Sequence, residues 1–189
     1  MLGYLLADII MGVYHWIKDT YFSPFTPIIG KLFVWASRLH HLRPKYVTEF
    51  TSIDLFLNSA KWVVLWIGPL VYYFGLNIFL MSLFLMLSVN DVIHKYAHMT
   101  DKERPQWASF LQKIYIFQSH DEHHLHHTYP YITHYCPISP FINIIFEKIQ
   151  LWRKMEKCIE KYLGVKAREK EYDFIENTDY PAGIKFIQS

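Results

Sequence analysis

A 29-residue stretch without a formal charge, from Trp62 to Asn90, limits most strongly what this chain can fold into. A single helix of that length would run roughly 43 Å at 1.5 Å per residue, against a hydrocarbon core of about 30 Å. Gly75-Leu76-Asn77 is a turn signal near the middle of the stretch. We therefore predict a membrane hairpin, with helices over about residues 55–74 and 77–98.

The N-terminal segment is the second apolar stretch, and it is interrupted only by Asp8 and His15 between residues 2 and 17. It lacks the basic start and the small-residue cleavage site of a signal peptide. We interpret residues 2–18 as a short transmembrane or re-entrant helix. The predicted fold class is an all-α integral membrane protein with about three membrane helices, joined by interfacial or cytosolic helices.

Basic residues lie between the first span and the hairpin and again after the hairpin, while the hairpin tip carries none. By the positive-inside rule, this places the N-terminus outside and both large polar segments in the cytosol. Within them we expect short helices over residues 28–41, 105–118 and 146–163, the last ending at Gly164. Residues 1–168 are interpreted as one domain and residues 169–189 as a polar C-terminal tail. The net charge of +2 is too small to indicate nucleic-acid binding.

Eleven histidines are the most informative feature of the composition. Two of their groups have helical i, i+4 spacing, His15 with Asp19 and His94 with His98, so each pair shares one helix face. The other groups are the adjacent pair His40-His41 and an H-x-x-H-H cluster made of His123, His126 and His127. In the predicted orientation all four groups lie at the inner membrane face. Imidazoles and carboxylates near lipid are costly unless they are paired, and a shared metal site would pair them.

Eight imidazoles exceed the four ligands of a single zinc site, which indicates two metal ions with about four nitrogen ligands each. Imidazole suits iron, copper, nickel and zinc, so ligand type leaves the metal open. A bis-histidine haem is disfavoured, because it would need single histidines facing each other across the bundle. Asp8 is interpreted as a hydrogen-bond partner of a histidine, and Asp91 is expected on the His94 face. His120, His124 and His134 are interpreted as surface or supporting residues.

Four motifs carry a family resemblance that runs from about Ala7 to Arg168. In sequence order they are Ala7-Asp8-x-x-x-Gly12-x-x-His15-Trp16-x-x-Asp19, His40-His41-x-x-Pro44, Ile93-His94-Lys95-x-x-His98, and His123-x-x-His126-His127-x-x-Pro130 followed by Tyr135-Cys136 and Asn143. Each motif alone is weak evidence, whereas the four together are specific. In this combination the chain resembles the Kua-type lipid desaturases.

The resemblance implies a di-iron centre that uses dioxygen and two electrons to desaturate a lipid chain. The implied ligands are His15, His40, His41, His94, His98, His123, His126 and His127. The residues expected to support them, or to act as further ligands, are Asp8, Asp19, Asp91, Glu122, His124 and Asn143. The implied electron donor is cytochrome b5, or ferredoxin if the protein is plastid-like.

The favoured activity is that of a plasmanylethanolamine desaturase, which forms the vinyl ether of plasmalogens. The alternatives are an acyl-lipid desaturase or lipid hydroxylase with the same centre, a zinc hydrolase, and a non-catalytic metal-binding membrane protein. The expected location is an integral, multi-pass position with the active site on the cytosolic face. The membrane would be the endoplasmic reticulum if the source is eukaryotic or viral.

Overall fold

The computed structural model describes residues 1–168, which form helices and connecting loops without any strand. Eight α-helices follow one another: α1 (Leu2–Tyr21), α2 (Trp35–Leu42), α3 (Ser52–Phe74), α4 (Ile78–Ala97), α5 (Gln106–Lys113), α6 (His120–His126), α7 (Pro140–Lys148) and α8 (Leu151–Leu163). A π-helical turn, Gly30–Val34, leads into α2, and a 3-10 helix, Pro44–Glu49, follows it. The prediction of an all-helical chain is confirmed for the described residues.

Helices α3 and α4 form the expected hairpin. Gly75 lies between them at a φ of 75°, a left-handed conformation that glycine adopts without steric cost. The side chain of Asn77 then accepts a hydrogen bond from Leu80 N and caps α4. Within the described part of the chain, α3 and α4 are the two helices long and apolar enough to cross a membrane. The expected third span, α1, has 20 residues but falls short of the same test, so its crossing stays a prediction.

Helix α1 lies alongside α4, and the two run in the same direction. At its start, a Cβ on Gly3 would lie 2.6 Å from the carbonyl oxygen of Phe79, so only glycine permits this close approach. Near its end, the ring of His15 lies 6.5 Å from that of His94. This register brings the histidines of both helices to the same end of the bundle.

The shorter helices differ from the sequence expectations at their ends. Helix α5 ends at Lys113 instead of continuing to residue 118, and the helix expected from residue 28 begins at Gly30. The single helix expected over residues 146–163 is two helices, because Gln150 adopts a left-handed conformation at a φ of 53°. The break lets Ile142 on α7 and Trp152 on α8 pack into one core from different directions. The end at Gly164 is confirmed, and the tail at 169–189 lies outside the described residues.

Two apolar cores lie on opposite sides of α1. One joins α1 to α3 and α4 through Ala7, Val63, Leu83 and Leu87. The other joins α1 to α7 and α8 through Trp16, Ile142 and Trp152. The helix that carries His15 and Asp19 is therefore held from both sides.

Candidate metal centre

Four helices bring polar side chains to one end of the bundle, three of them a pair and the fourth a group of three. Helix α1 supplies His15 and Asp19, and adjacent positions on α2 supply the second pair. Helix α4 and its C-terminal cap supply the third pair, and α6 with its cap supplies three histidines. All eight histidines expected as ligands come together, namely His15, His40, His41, His94, His98, His123, His126 and His127.

These residues divide into two sets, and in each set the possible ligand atoms lie within 4.8 Å of one another. We name the first set the five-histidine cluster; it contains His40, His94, His98, His123 and His127. We name the second set the histidine–aspartate cluster; it contains His15, Asp19, His41 and His126. Asp19, expected at most as a supporting residue or an additional ligand, thus occupies a ligand position in the second set.

In the five-histidine cluster the imidazoles turn their Nε2 atoms toward a common centre. The Nε2–Nε2 distance is 2.9 Å between His94 and His123, 3.0 Å between His123 and His127, and 3.0 Å between His127 and His40. Burial lowers the pKa of His40 and of His123 well below the ordinary value of histidine. The rings are therefore neutral, which is the protonation state that binds a metal ion.

In the histidine–aspartate cluster the Oδ2 atom of Asp19 lies among three imidazole nitrogens. It is 3.1 Å from His15 Nε2, 3.4 Å from His41 Nε2 and 3.5 Å from His126 Nε2. The carboxylate is 4% exposed, and its other oxygen accepts a hydrogen bond from Ser37 Oγ at 3.0 Å. The buried negative charge thus lies at the centre of the cluster.

The tautomers of two rings show which kind of group this cluster could bind. His15 Nδ1 lies 3.1 Å from the carbonyl oxygen of Tyr135, and His126 Nδ1 lies 2.8 Å from that of Thr133. A carbonyl only accepts hydrogen bonds, so both Nδ1 atoms carry the proton and both Nε2 atoms offer a lone pair when the rings are neutral. Lone pairs therefore face the carboxylate of Asp19, an arrangement of acceptors that a cation would satisfy. The donor set fits a bound metal ion.

Gln118 is a supporting residue that the sequence analysis missed. It is fully buried, and its Oε1 accepts a hydrogen bond from His123 Nδ1 at 3.0 Å. Its Nε2 donates to the carbonyl oxygen of Cys136 at 3.0 Å. Gln118 thus orients one ligand ring and ties it to the loop that orients His15. The spacing of five residues between Gln118 and His123 is not the three or four of helical neighbours, so the sequence pattern did not indicate that the two side chains meet.

Several other expected site residues lie outside both clusters. Asp8 was expected to bond to a histidine, but it does not. Its carboxylate accepts hydrogen bonds from Ile138 N at 2.9 Å and Ser139 Oγ at 2.7 Å. The expectation was wrong because groups of the loop before α7 donate to both carboxylate oxygens of Asp8. Asp91 accepts a hydrogen bond from Ser59 Oγ of α3 at 2.6 Å and belongs to neither cluster.

The remaining expected residues have structural positions. Asn143 fixes the backbone of Cys136, accepting from its N at 2.9 Å and donating to its carbonyl oxygen at 2.7 Å. His124 is exposed and stacks on His120, as a surface histidine does. Glu122 lies in the first turn of α6 and belongs to neither cluster.

The fold and the site together define a class: helical proteins in which a candidate membrane hairpin and the helices packed beside it bring together histidine-rich clusters that could hold metal ions. Within that class, the chain belongs to the lipid desaturase family, since the model of the lipid desaturase domain matches residues 4–170. It is therefore an oxidoreductase by family. The resemblance to the Kua-type desaturases is confirmed.

Three relatives illustrate the range of this similarity. A probable fatty acid desaturase of Acanthamoeba polyphaga mimivirus is 63% identical over all of this chain and 94% of its own length. Plasmanylethanolamine desaturase 1 of Mus musculus is 29% identical over 88% of the chain. The chloroplastic fatty acid desaturase 4-like 2 of Arabidopsis thaliana is 30% identical, also over 88%. The matches span 65% of the mouse protein and 60% of the plant protein. No solved structure matches the chain.

Proposed function

We propose that this protein is a di-iron, O2-dependent desaturase of membrane lipids, with plasmanylethanolamine as the first substrate to test. The observation that carries the proposal is the division of eight histidines and Asp19 into two adjacent donor sets, in a chain of the lipid desaturase family. The five-histidine cluster would hold one iron ion and the histidine–aspartate cluster the other. When bound, the two ions would supply the oxidising chemistry, using dioxygen and two electrons, that removes hydrogen from an unactivated lipid chain.

The chain's own residues would keep this centre in one geometry. Backbone carbonyls of Tyr135 and Thr133 set the tautomers of His15 and His126, and Gln118 sets that of His123. Partners of this kind fix the ring orientation and raise ligand basicity. Tyr131 stacks on His41 with the ring centroids 5.8 Å apart and covers that ligand. The carboxylate of Asp19 would offset part of the positive charge in its buried cluster.

The substrate is proposed from the relatives. The mouse relative is named for plasmanylethanolamine, which specifies a lipid and therefore gives a defined assay. A second candidate is desaturation of an acyl chain, because the 63% identical viral relative is named a probable fatty acid desaturase. Both candidates use the same centre and differ only in which lipid carbon is placed against it.

The electron donor and location complete the proposal. A small haem protein such as cytochrome b5 would deliver the electrons, or a ferredoxin in a plastid-like setting. The two candidate spans support an integral membrane protein, with the metal centre toward the cytosol and the endoplasmic reticulum as the expected membrane.

Lipid mass spectrometry with acid treatment tests the proposal. The chain would be expressed in cells that make plasmanyl lipids but cannot desaturate them. Acid-labile vinyl ethers that appear only with this chain would support the first substrate, and new acyl double bonds in the same spectra would support the second. Iron content of the purified protein would be measured in parallel. A membrane-located protein with a competent electron donor that produces neither lipid would contradict the proposal.

A further inference from the structure

Helix α7 stands beside α1, and the contacts at its two ends give its position along α1. At its N-terminal end, Ile138 N and Ser139 N donate to the carboxylate of Asp8 at 2.9 and 3.1 Å. After its C-terminal end, Trp152 packs on Trp16 with the ring centroids 5.7 Å apart, and Phe146 of α7 packs on Trp152 at 5.3 Å. Helix α7 therefore covers the part of α1 between Asp8 and Trp16.

This part of α1 lies at a level where the hairpin is apolar. Because Gly3 contacts Phe79 and Ser82 while His15 approaches His94, the level of Asp8 on α1 corresponds to about residue 87 on α4. Leu87 belongs to the apolar core of the candidate span. The part of α1 from Asp8 to Trp16 thus extends from the apolar interior of this candidate span to the candidate metal centre near the end of the span.

The outward side of α7 carries large apolar side chains. Phe141, Ile144 and Ile145 are 49%, 57% and 52% exposed, and no charged residue occurs in α7 before Glu147. The inward side holds buried Ile142 and Asn143. Nine residues span only about 13 Å, less than half of a hydrocarbon core of about 30 Å, so α7 cannot cross the membrane.

The loop that precedes α6 also reaches this depth along α1. Tyr4 Oη, near the start of α1, donates to the carbonyl oxygen of Ile116 at 2.5 Å. Ile116 is 42% exposed, and the backbone of Gln118 then donates to the carbonyl oxygen of Ile138 at 2.7 Å. The loop that precedes α6 and the loop that precedes α7 therefore meet deep along α1. Residues 135–139 of the loop before α7 are buried against protein, the condition under which irregular backbone is tolerated at membrane depth.

We propose that α7 is a re-entrant half-helix whose face formed by Phe141, Ile144 and Ile145 contacts the hydrocarbon of the bilayer. The preceding loop enters from the side of the metal centre and turns at Ile138–Ser139, and α7 then returns toward that side. The inference rests on the membrane embedding in the proposed function. It changes the sequence-based picture, in which the whole segment after the hairpin lay in the cytosol. The same helix supports the site, since Asn143 fixes the Cys136 backbone next to the carbonyl that orients His15.

The test attaches an environment-sensitive fluorophore to single cysteines of the full chain in phosphatidylcholine–phosphatidylethanolamine vesicles. The background is Cys158→Ser, because Cys158 is exposed and Cys136 is buried. Labels at Phe141→Cys and Ile144→Cys report on α7. Leu65→Cys, 62% exposed on α3, serves as the lipid reference, and Glu160→Cys on the exposed side of α8 serves as the water reference.

Lipids brominated along the acyl chains should quench the two α7 labels and the Leu65 label several-fold more strongly than the Glu160 label. Iodide in the water should show the opposite order, and Phe141 should lie deeper than Ile144. If both α7 labels follow the Glu160 label while Leu65 stays in lipid, the re-entrant helix is wrong and the membrane embedding stands. If the Leu65 label also follows the water reference, the membrane embedding itself fails.

Discussion

The five-histidine cluster and the histidine–aspartate cluster use the same ring in two different electrostatic settings. The histidine–aspartate cluster has a buried carboxylate at its centre, and backbone carbonyls fix the rings of His15 and His126. The five-histidine cluster has no carboxylate among its members, and the Nδ1 atoms of His40 and His127 lack hydrogen-bond partners among the described residues. One cluster is thus charge-compensated and held by the backbone, whereas the other is neutral and would depend more on a bound metal ion for its order.

The comparison predicts that the two clusters fail in different ways. A cluster held by carbonyls keeps its shape without a metal but loses its charge balance when a member is removed. A cluster of neutral rings has no buried charge to balance but has fewer supports, so its order would depend more on a bound ion. Four changes, from the largest expected effect to the smallest, test this difference.

Removing one ligand from either cluster should have the largest effect. His126→Ala and His94→Ala should each lower product formation by more than ~100-fold, beyond the range for loss of a supporting partner. The measurements are lipid product by mass spectrometry and bound metal per chain. His124→Ala is the matched control, because His124 lies on the same short helix but is exposed and outside both clusters. Full activity in a folded, membrane-located His126→Ala protein would show that the clusters are not catalytic.

Removing the charge while keeping the shape should affect only the histidine–aspartate cluster. Asp19→Asn should lower metal affinity there by about 10- to 100-fold, because an amide cannot offset the cation's charge in a buried site. Metal titration of the purified protein would show one weakened site beside one unchanged site. Asp91→Asn is the control, since Asp91 bonds to Ser59 outside the clusters. Equal weakening of both sites would remove the electrostatic distinction between them.

Gln118 tests the support of the five-histidine cluster. Gln118→Ala removes the acceptor of His123 Nδ1 and one of the two donors to the Cys136 carbonyl, so about tenfold weaker metal binding is expected. Gln118→Glu restores the acceptor and should recover part of the affinity. Gln118→Ala leaves both sets of ligands in place but alters the orientation and basicity of the His123 ring. The spectroscopic signature of the bound metal should therefore shift even where binding is saturated. An unchanged signature would mean that Gln118 only fills space.

The sequence was sufficient for the hairpin and for the histidines that the structure brings together, because both depend on local patterns. Charge-free length and the Gly75–Asn77 turn define the hairpin, and short histidine spacings define which rings share a face. It was insufficient for Asp8 and Gln118, since their partners lie 130 and 18 residues away in loops without periodicity. It also failed at Gln150, because that break serves the packing of Ile142 and Trp152 against α1 and has no glycine or proline to mark it.

A substitution at Gly12 has the smallest expected effect. It tests how closely α1 packs against the loop that orients His15 of the histidine–aspartate cluster. A Cβ there would lie 2.4 Å from Cys136 Sγ and 3.2 Å from Cys136 Cα, next to the carbonyl that orients His15. Gly12→Ala should therefore lower the unfolding free energy by about 1–3 kcal/mol through overpacking. Thermal unfolding in detergent would measure the change. Gly68→Ala is the control, because its nearest neighbour would be 4.0 Å away and alanine favours the helix by about 1 kcal/mol.

The double variant separates the contact from the helix itself. Cys136→Ala removes Sγ, so in the Gly12→Ala background it should recover part of the lost stability, and the two changes should be non-additive. The 3.2 Å approach to Cys136 Cα remains, which limits the recovery. If the two effects simply add, the loop has moved away at no cost, and the position of the Tyr135 carbonyl does not depend on α1. In that case the histidine–aspartate cluster would be as adjustable as the five-histidine cluster, and the difference between them would rest on Asp19 alone.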